Sequence, residues 1–298
     1  MTIRWIAIDW GTPNLRAWAM GDAGPLAEAT SQTGMGQLAP SQFEPALIAL
    51  IAPWLTAPVT RVLSCGMIGA RQGWQEAPYR QIPCSPLAAS DLLRVRARDP
   101  RLDLYIAPGL IQPEPADVMR GEETRIAGVL AQRPDFGGII CHPGTHSKWV
   151  QIADGKVIAF QTYLTSELFA LLSTRSVLRH GLAEGWDDTA FDQGVDEALS
   201  RPEKIAARLF SLRAEFLLHG LDPAKARARL SGLLIGIELA GAKSYWLGGR
   251  IMLVGSASLA AGYDRALKAE GLVPELLDAT TCTLAGLQQL HLMMEPPQ

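Results

Sequence analysis

The first twenty residues alternate between apolar runs and polar breaks at strand spacing. Ile6-Ala7-Ile8 is a short apolar run ending in the carboxylate of Asp9. Trp10-Gly11-Thr12-Pro13 follows, and Asn14-Leu15-Arg16-Ala17-Trp18-Ala19-Met20 reads as a returning strand. Strand, Gly-Thr turn, strand predicts a β-hairpin. It continues through Gly21-Asp22-Ala23-Gly24 into a third strand from Pro25. The same pattern returns later. Gly138-Ile139-Ile140-Cys141 is a strand, His142-Pro143-Gly144-Thr145-His146 a second Gly-Thr turn, and Ser147-Lys148-Trp149-Val150-Gln151-Ile152 the returning strand. Asp154-Gly155 then marks a hairpin turn before Lys156-Val157-Ile158-Ala159-Phe160. Two three-stranded meanders thus open two halves of one chain.

Elsewhere the spacing predicts helices over 43–55, 165–178, 191–198, 202–219, 223–242, 259–268 and 281–294. A further helix is expected from an Asp117 cap through Leu130. Buried strands are expected at 61–65, 102–106, 250–254 and 272–277, with loops at 34–36 and 107–110. The fold class is therefore α/β.

Candidate chemistry gathers at the turns. Gly11 allows close backbone approach to a ligand, and turn N–H groups form an anion-binding concavity. Asp9 at its lip offers oxygens for a hydrated Mg²⁺. This pattern fits a phosphate-binding hairpin, and also an ordinary hairpin with Asp-x-Gly turn chemistry. The segment after Gly66 carries Arg71, Gln72, Trp74, Glu76 and Tyr79, which suits either a binding loop or a surface loop anchored by its Trp. Glu122 and Glu123 follow Gly121; they either favour a helix dipole or supply a general base. Adjacent helix positions diverge by about 100°, so one of the pair faces a site, Glu122 being the first choice. Gly255-Ser256, between a strand and a helix, is a small-residue turn that by itself reads as a generic strand-to-helix connection.

Composition narrows the classes. Hydrophobic residues make up 48% of the 298, enough for one large or two ordinary domains. A net charge of −3 leaves no electrostatic footprint for nucleic acid, and Arg94-Val95-Arg96-Ala97-Arg98 reads as a solvated face. The four cysteines are widely spaced, without a Cys-x-x-Cys pair, and indicate neither zinc nor a disulfide framework. No signal peptide or membrane span is expected: the apolar stretch 233–242 is short and contains Glu238. The expected location is cytoplasmic. A homo-oligomer remains open.

The motifs carry a specific resemblance. Asp9-x-Gly11-Thr12-x-Asn14-x-Arg16 is similar to the first phosphate motif of the sugar kinase, Hsp70 and actin superfamily. The chain resembles the 2-dehydro-3-deoxygalactonokinase family within it, over its whole length. The matching stretches are 8–18, 66–74, Asp117-Val118-Met119-Arg120-Gly121-Glu122-Glu123-Thr124, Pro143-Gly144-Thr145-His146-Ser147-Lys148-Trp149-Val150 and 165–172. His142 departs from the pattern, which expects an apolar residue there. The resemblance implies a two-lobed ribonuclease H-like (actin-like ATPase) fold with a nucleotide cleft between lobes 1–135 and 136–298, the last helix packing back on the lobe interface. It implies ATP and Mg²⁺, with Asp9 organising the metal. Gly11, Thr12, Asn14, Arg16, Gly144, Thr145, His146, Ser147, Lys148, Gly255 and Ser256 would hold the nucleotide. Glu122, with Glu123 as the other choice, would be the base. Arg71, Gln72, Trp74, Glu76 and Tyr79 would hold a six-carbon keto acid, Arg71 pairing with its carboxylate. The implied reaction is phosphorylation of 2-dehydro-3-deoxy-D-galactonate at the 6-hydroxyl. Alternatives are the gluconate epimer, or a phosphatase or ATPase of the same superfamily.

Overall fold

The computed structural model describes residues 2–295. Its residues group into two compact units. The first takes 1–136, 153–159 and 279–298; the second takes 137–152 and 160–278. The chain passes between the two units four times, at 136/137, 152/153, 159/160 and 278/279.

The first unit is built on a six-stranded mixed sheet. β1 (Trp5–Trp10), β2 (Leu15–Gly21) and β3 (Gly24–Ser31) form the expected antiparallel meander. α1 (Phe43–Ile51) follows, stopping at a short 3-10 turn around Pro53, earlier than the expected 55. β4 (Thr60–Gly66) joins β1 in parallel, and the sheet order is β3-β2-β1-β4-β7-β6. β5 (Tyr79–Gln81), β6 (Leu93–Val95) and β7 (Leu102–Ile106) follow in the chain. β6 places the arginines of 94–98 on the expected solvated face: Arg94, Arg96 and Arg98 are exposed while Val95 is buried, and Arg94 pairs with Asp103 on β7 at 2.8 Å.

A small third sheet, in the order β5-β8-β9, was not expected. β8 (Gly109–Gln112) lies in what was read as a loop. β9 (Asp117–Met119) replaces the expected Asp117 helix cap. Pairing of Leu110 with Met119 and of Gln112 with Asp117 holds this stretch extended. Gly121, at φ +107°, then turns the chain into α2 (Glu122–Gln132). Only glycine takes that conformation without strain.

Period-two alternation decides which way each side chain points. On β1, Ile6, Ile8 and Trp10 enter the core shared with Phe43 and Leu47 of α1. Trp5 and Ala7 enter the opposite core with Leu287 and Leu290 of α9 (Ala279–Met293). Asp9 belongs to this second face. α9 crosses α2 at backbone contact distance. A Cβ on Gly128 would lie 1.8 Å from the Cys282 carbonyl, and one on Gly286 1.9 Å from the Thr124 carbonyl.

The second unit repeats the opening. β10 (Gly138–His142), β11 (Ser147–Ala153) and β12 (Lys156–Tyr163) form the meander, in a sheet ordered β12-β11-β10-β13-β14. The hairpin tip 153–159 is counted with the first unit, where Cys84 and Val157 exchange backbone hydrogen bonds of 3.2 and 2.9 Å. α3 (Thr165–Thr174), α4 (Asp188–Ser200), α5 (Ile205–His219), α6 (Pro223–Gly241) and α7 (Lys243–Trp246) follow. β13 (Ile251–Gly255), α8 (Ala257–Ala269) and β14 (Glu275–Asp278) complete the unit. The expected helix over 165–178 ends at Thr174, and that over 202–219 starts at Ile205 after a 3-10 turn.

Candidate active site

In the first unit the turn between β1 and β2 is closed by the Gly11 N–H donating to the Asn14 carbonyl at 2.9 Å. That donor is therefore engaged within the turn. Thr12 and Asn14 are exposed at its tip. The loop 34–36 braces it from behind: Gly34, Met35 and Gly36 donate to the carbonyls of Pro13, Gly11 and Thr12 at 3.0–3.2 Å. A Cβ on Gly34 would lie 2.2 Å from the Thr12 carbonyl oxygen, so only glycine permits this brace. Gly11 has ordinary room for a Cβ and needs no positive φ. Its own turn does not demand a glycine there.

Asp9 and Arg16 are cross-strand partners in the β1–β2 register, and the Arg16 guanidinium donates to Asp9 Oδ2 at 2.5 Å. Arg16 also donates to the Thr280 hydroxyl of α9 at 2.9 Å. A second guanidinium, Arg125 of α2, stands 3.7 Å from Asp9 Oδ2. Arg125 was missed in the sequence, although it lies one helical turn after Glu122, on the same face. Gly66, at φ +91°, passes close by; a Cβ there would be 3.4 Å from Asp9 Oδ1 and 2.7 Å from the Trp10 carbonyl oxygen.

The two glutamates at the start of α2 differ sharply. Glu123 is fully buried, and its carboxylate accepts from the Gly121 N–H at 2.6 Å and the Thr124 hydroxyl at 3.1 Å. Burial, with the Glu122 charge beside it, pushes its carboxyl up to about 7. Glu122 is half-buried and accepts from the Arg120 N–H at 3.1 Å. Of the pair, Glu122 has the more accessible carboxylate.

The segment after β4 folds onto itself through Trp74 N–H to the Ile68 carbonyl (2.9 Å) and Ala77 N–H to the Gly69 carbonyl (2.9 Å). Trp74 packs against Phe43 in the core, which leaves it an anchoring contact. Arg71 is 81% exposed in its side chain and meets Glu76 only at 3.6 Å; Gln72 is exposed beside it. Tyr79 lies under the guanidinium of buried Arg120, 4.3 Å from the ring centre. Arg120 also donates to the Ala77 carbonyl at 2.8 Å, tying this loop to the start of α2.

In the second unit the turn after β10 presents Thr145 and His146 to solvent, with Gly144 half-buried. His146 Nε2 meets Glu167 of α3 at 2.5 Å. Ser147 is fully buried and its hydroxyl donates to Glu238 at 2.7 Å. Its side chain therefore supports the turn from inside. Lys148 is also buried, and its ammonium donates to the Thr162 hydroxyl at 2.8 Å. β13 runs parallel to β10, so Gly255 ends 3.6 Å from Pro143 by its notional Cβ. Ser256 precedes α8, exposed. Beside it opens a cavity of about 560 Å³ lined by Thr165, Phe169, Arg227, Ser258, Leu259 and Tyr263 among others. The Arg227 guanidinium lies 5.0 Å from the Phe169 ring centre.

Among the described residues no group of three or more His, Cys, Asp or Glu side chains is placed to hold a metal ion. A Mg²⁺ carried on nucleotide phosphates needs only one or two protein carboxylates. Asp9 fits that demand. Its Oδ2 is taken by Arg16, while Oδ1 faces the space that a Gly66 side chain would fill. No helix among the described residues is long and apolar enough to cross a membrane.

The profile of the 2-keto-3-deoxy-galactonokinase family matches residues 9–290. A relative from Rhizobium meliloti, named a probable 2-dehydro-3-deoxygalactonokinase, is 40% identical over 94% of each chain. The 2-dehydro-3-deoxygalactonokinase of Escherichia coli is 34% identical over 97% of this chain and 98% of its own. A crystal structure of a Sinorhizobium meliloti protein assigned to the same activity superposes with a TM-score of 0.92 at 38% identity, covering 98% of this chain and all of the other. Component A of (R)-2-hydroxyglutaryl-CoA dehydratase from Acidaminococcus fermentans shares the fold at a TM-score of 0.52 and 11% identity. The fold is the α/β ribonuclease H-like fold of actin-like ATPases and sugar kinases, and the chain belongs to the 2-dehydro-3-deoxygalactonokinase family of carbohydrate kinases.

Proposed function

We propose that the enzyme transfers the γ-phosphoryl group of ATP to the 6-hydroxyl of 2-dehydro-3-deoxy-D-galactonate, giving the 6-phosphate and ADP. The observation that carries this reading is the cluster at the end of β1, where Asp9, two guanidinium groups and the start of α2 with Glu122 converge behind an exposed Gly-Thr tip. Phosphoryl transfer asks a protein mainly for positioning and for charge stabilisation. The chain's own groups supply both. Thr12 and Thr145 hydroxyls, exposed at the two tips, hold phosphate oxygens. Gly11 and Gly144, neither sterically required by its own turn, keep the space in front of each tip open to a phosphate. Arg16 and Arg125 hold the Asp9 carboxylate in place. Mg²⁺, held through Asp9, would supply charge neutralisation at the phosphates. Glu122, with its reachable carboxylate, accepts the proton of the attacking hydroxyl.

Arg71 is exposed, with Glu76 at 3.6 Å as its ion-pair partner, and its guanidinium matches the keto acid carboxylate. Gln72, Glu76 and Tyr79 line the same approach. Adenosine occupies the cavity beside Ser256, with its base near the Arg227–Phe169 pair. Galactonate catabolism in the cytoplasm, where ATP is available, is the setting we assign. The test is the product itself: phosphorus NMR after incubation with Mg-ATP should show the phosphate coupled to the C6 protons. Phosphate on another carbon, or only inorganic phosphate, would overturn the assignment.

A further inference from the structure

α6 is apolar over most of its length, yet it buries one carboxylate, Glu238, at 1% exposure. Four donors converge on it. The Ser147 hydroxyl (2.7 Å), the Tyr263 hydroxyl (2.7 Å) and the Thr165 hydroxyl reach Oε2, and the Trp149 indole N–H reaches Oε1 at 2.8 Å. These donors come from three separate elements. Ser147 and Trp149 are on β11, directly after the turn 143–146. Thr165 opens α3, and Tyr263 is on α8. Thr165 and Tyr263 also line the 560 Å³ cavity. An uncompensated buried carboxylate is costly, and a network of this kind persists only when every member is satisfied. A hydrophobic residue at 238 would leave the Trp149 N–H and three hydroxyls without this acceptor.

We propose that Glu238 is a positioning residue for the nucleotide. By gathering four hydrogen bonds on one carboxylate, it locks the second phosphate turn to the wall of the cavity. Base and phosphates then meet one preorganised site rather than two independent ones. This rests on the nucleotide reading above. Adenosine alone needs only the cavity, whereas ADP needs the cavity and the turn in register.

The test compares wild type with Glu238→Gln, which keeps the shape but cannot accept from all four donors. Adenosine and ADP affinities are measured by calorimetry, with KM for ATP and for the keto acid beside them. The expected result is an ADP Kd raised about tenfold, adenosine Kd within about twofold, and a rise in KM for ATP but not for the keto acid. Where Glu238→Gln fails to fold, Tyr263→Phe removes one donor and should give the same split at about threefold. Equal weakening of adenosine and ADP, or no change in either with the fold retained, would overturn the role of Glu238 alone. A wild-type protein that binds neither ligand would overturn this proposal and the nucleotide reading together.

Discussion

Asp9 and Glu123 lie in one cluster of the first unit and are held in opposite ways. Asp9 is paired with a guanidinium at 2.5 Å, whereas Glu123 is buried among neutral donors beside another carboxylate. Replacing Asp9 by Asn should lower turnover at least about 100-fold with the fold intact, because the metal-facing charge is lost. Near-normal turnover would remove its metal role. Glu123 makes a different prediction. In the folded chain its carboxyl stays protonated up to about pH 7, while the unfolded chain ionises near 4.5. Its contribution to stability is therefore complete below pH 4.5 and is lost as pH rises through 7, about 3 kcal/mol in all. Glu123→Gln should flatten the fall in Tm between pH 5 and pH 8; an unchanged slope would contradict the burial account. Arg71→Ala should raise KM for the keto acid far more than KM for ATP, and equal effects would place Arg71 elsewhere. The exposed tips at Thr12 and Thr145 were legible because Gly-Thr recurs in two equivalent turns. Arg125 and Glu238 were not singled out as site residues. A lone Arg on a helix, or a lone Glu in an apolar one, acquires meaning only once its neighbours are known. Ser147 and Lys148 were read as phosphate ligands by motif; as neighbours on β11 they point to opposite faces, and both are buried, Ser147 against Glu238 and Lys148 against Thr162.

Among the elements, the two meanders were readable from period-two alternation ending at glycine turns. The sheet β5-β8-β9 was not: its strands have three or four residues, and Tyr79 pairs with Gly109, thirty positions away. Asp117 looked like a helix cap because an Asp shortly before acidic helix positions is cap chemistry, yet it pairs with Gln112 only five positions back. The crossing of α2 and α9 positions Thr280 and Thr283 against Arg16 and Arg125. That crossing rests on Gly128 and Gly286. Gly286→Ala gains about 1 kcal/mol of helix propensity, but its methyl would sit 1.9 Å from a backbone carbonyl oxygen. The helices must separate, at about 1–3 kcal/mol. A fall in Tm of about 2–4 °C is expected, with a loss of activity as Arg16 and Arg125 shift. An unchanged Tm would show that the crossing has slack.

For the whole molecule, the family assignment came from motifs spread along the chain, and the alternating pattern alone gave only α/β. The configuration of one hydroxyl on the substrate has no counterpart in hydrophobic periodicity or turn chemistry, so substrate choice rests on family membership. The central claim is that phosphoryl transfer depends on the galactonate-derived acceptor. It is tested most directly by ADP release from Mg-ATP with 2-dehydro-3-deoxy-D-galactonate, with its gluconate epimer, and with no acceptor. Release strongly dependent on the galactonate form is the predicted result; equal release with no acceptor present would contradict the account.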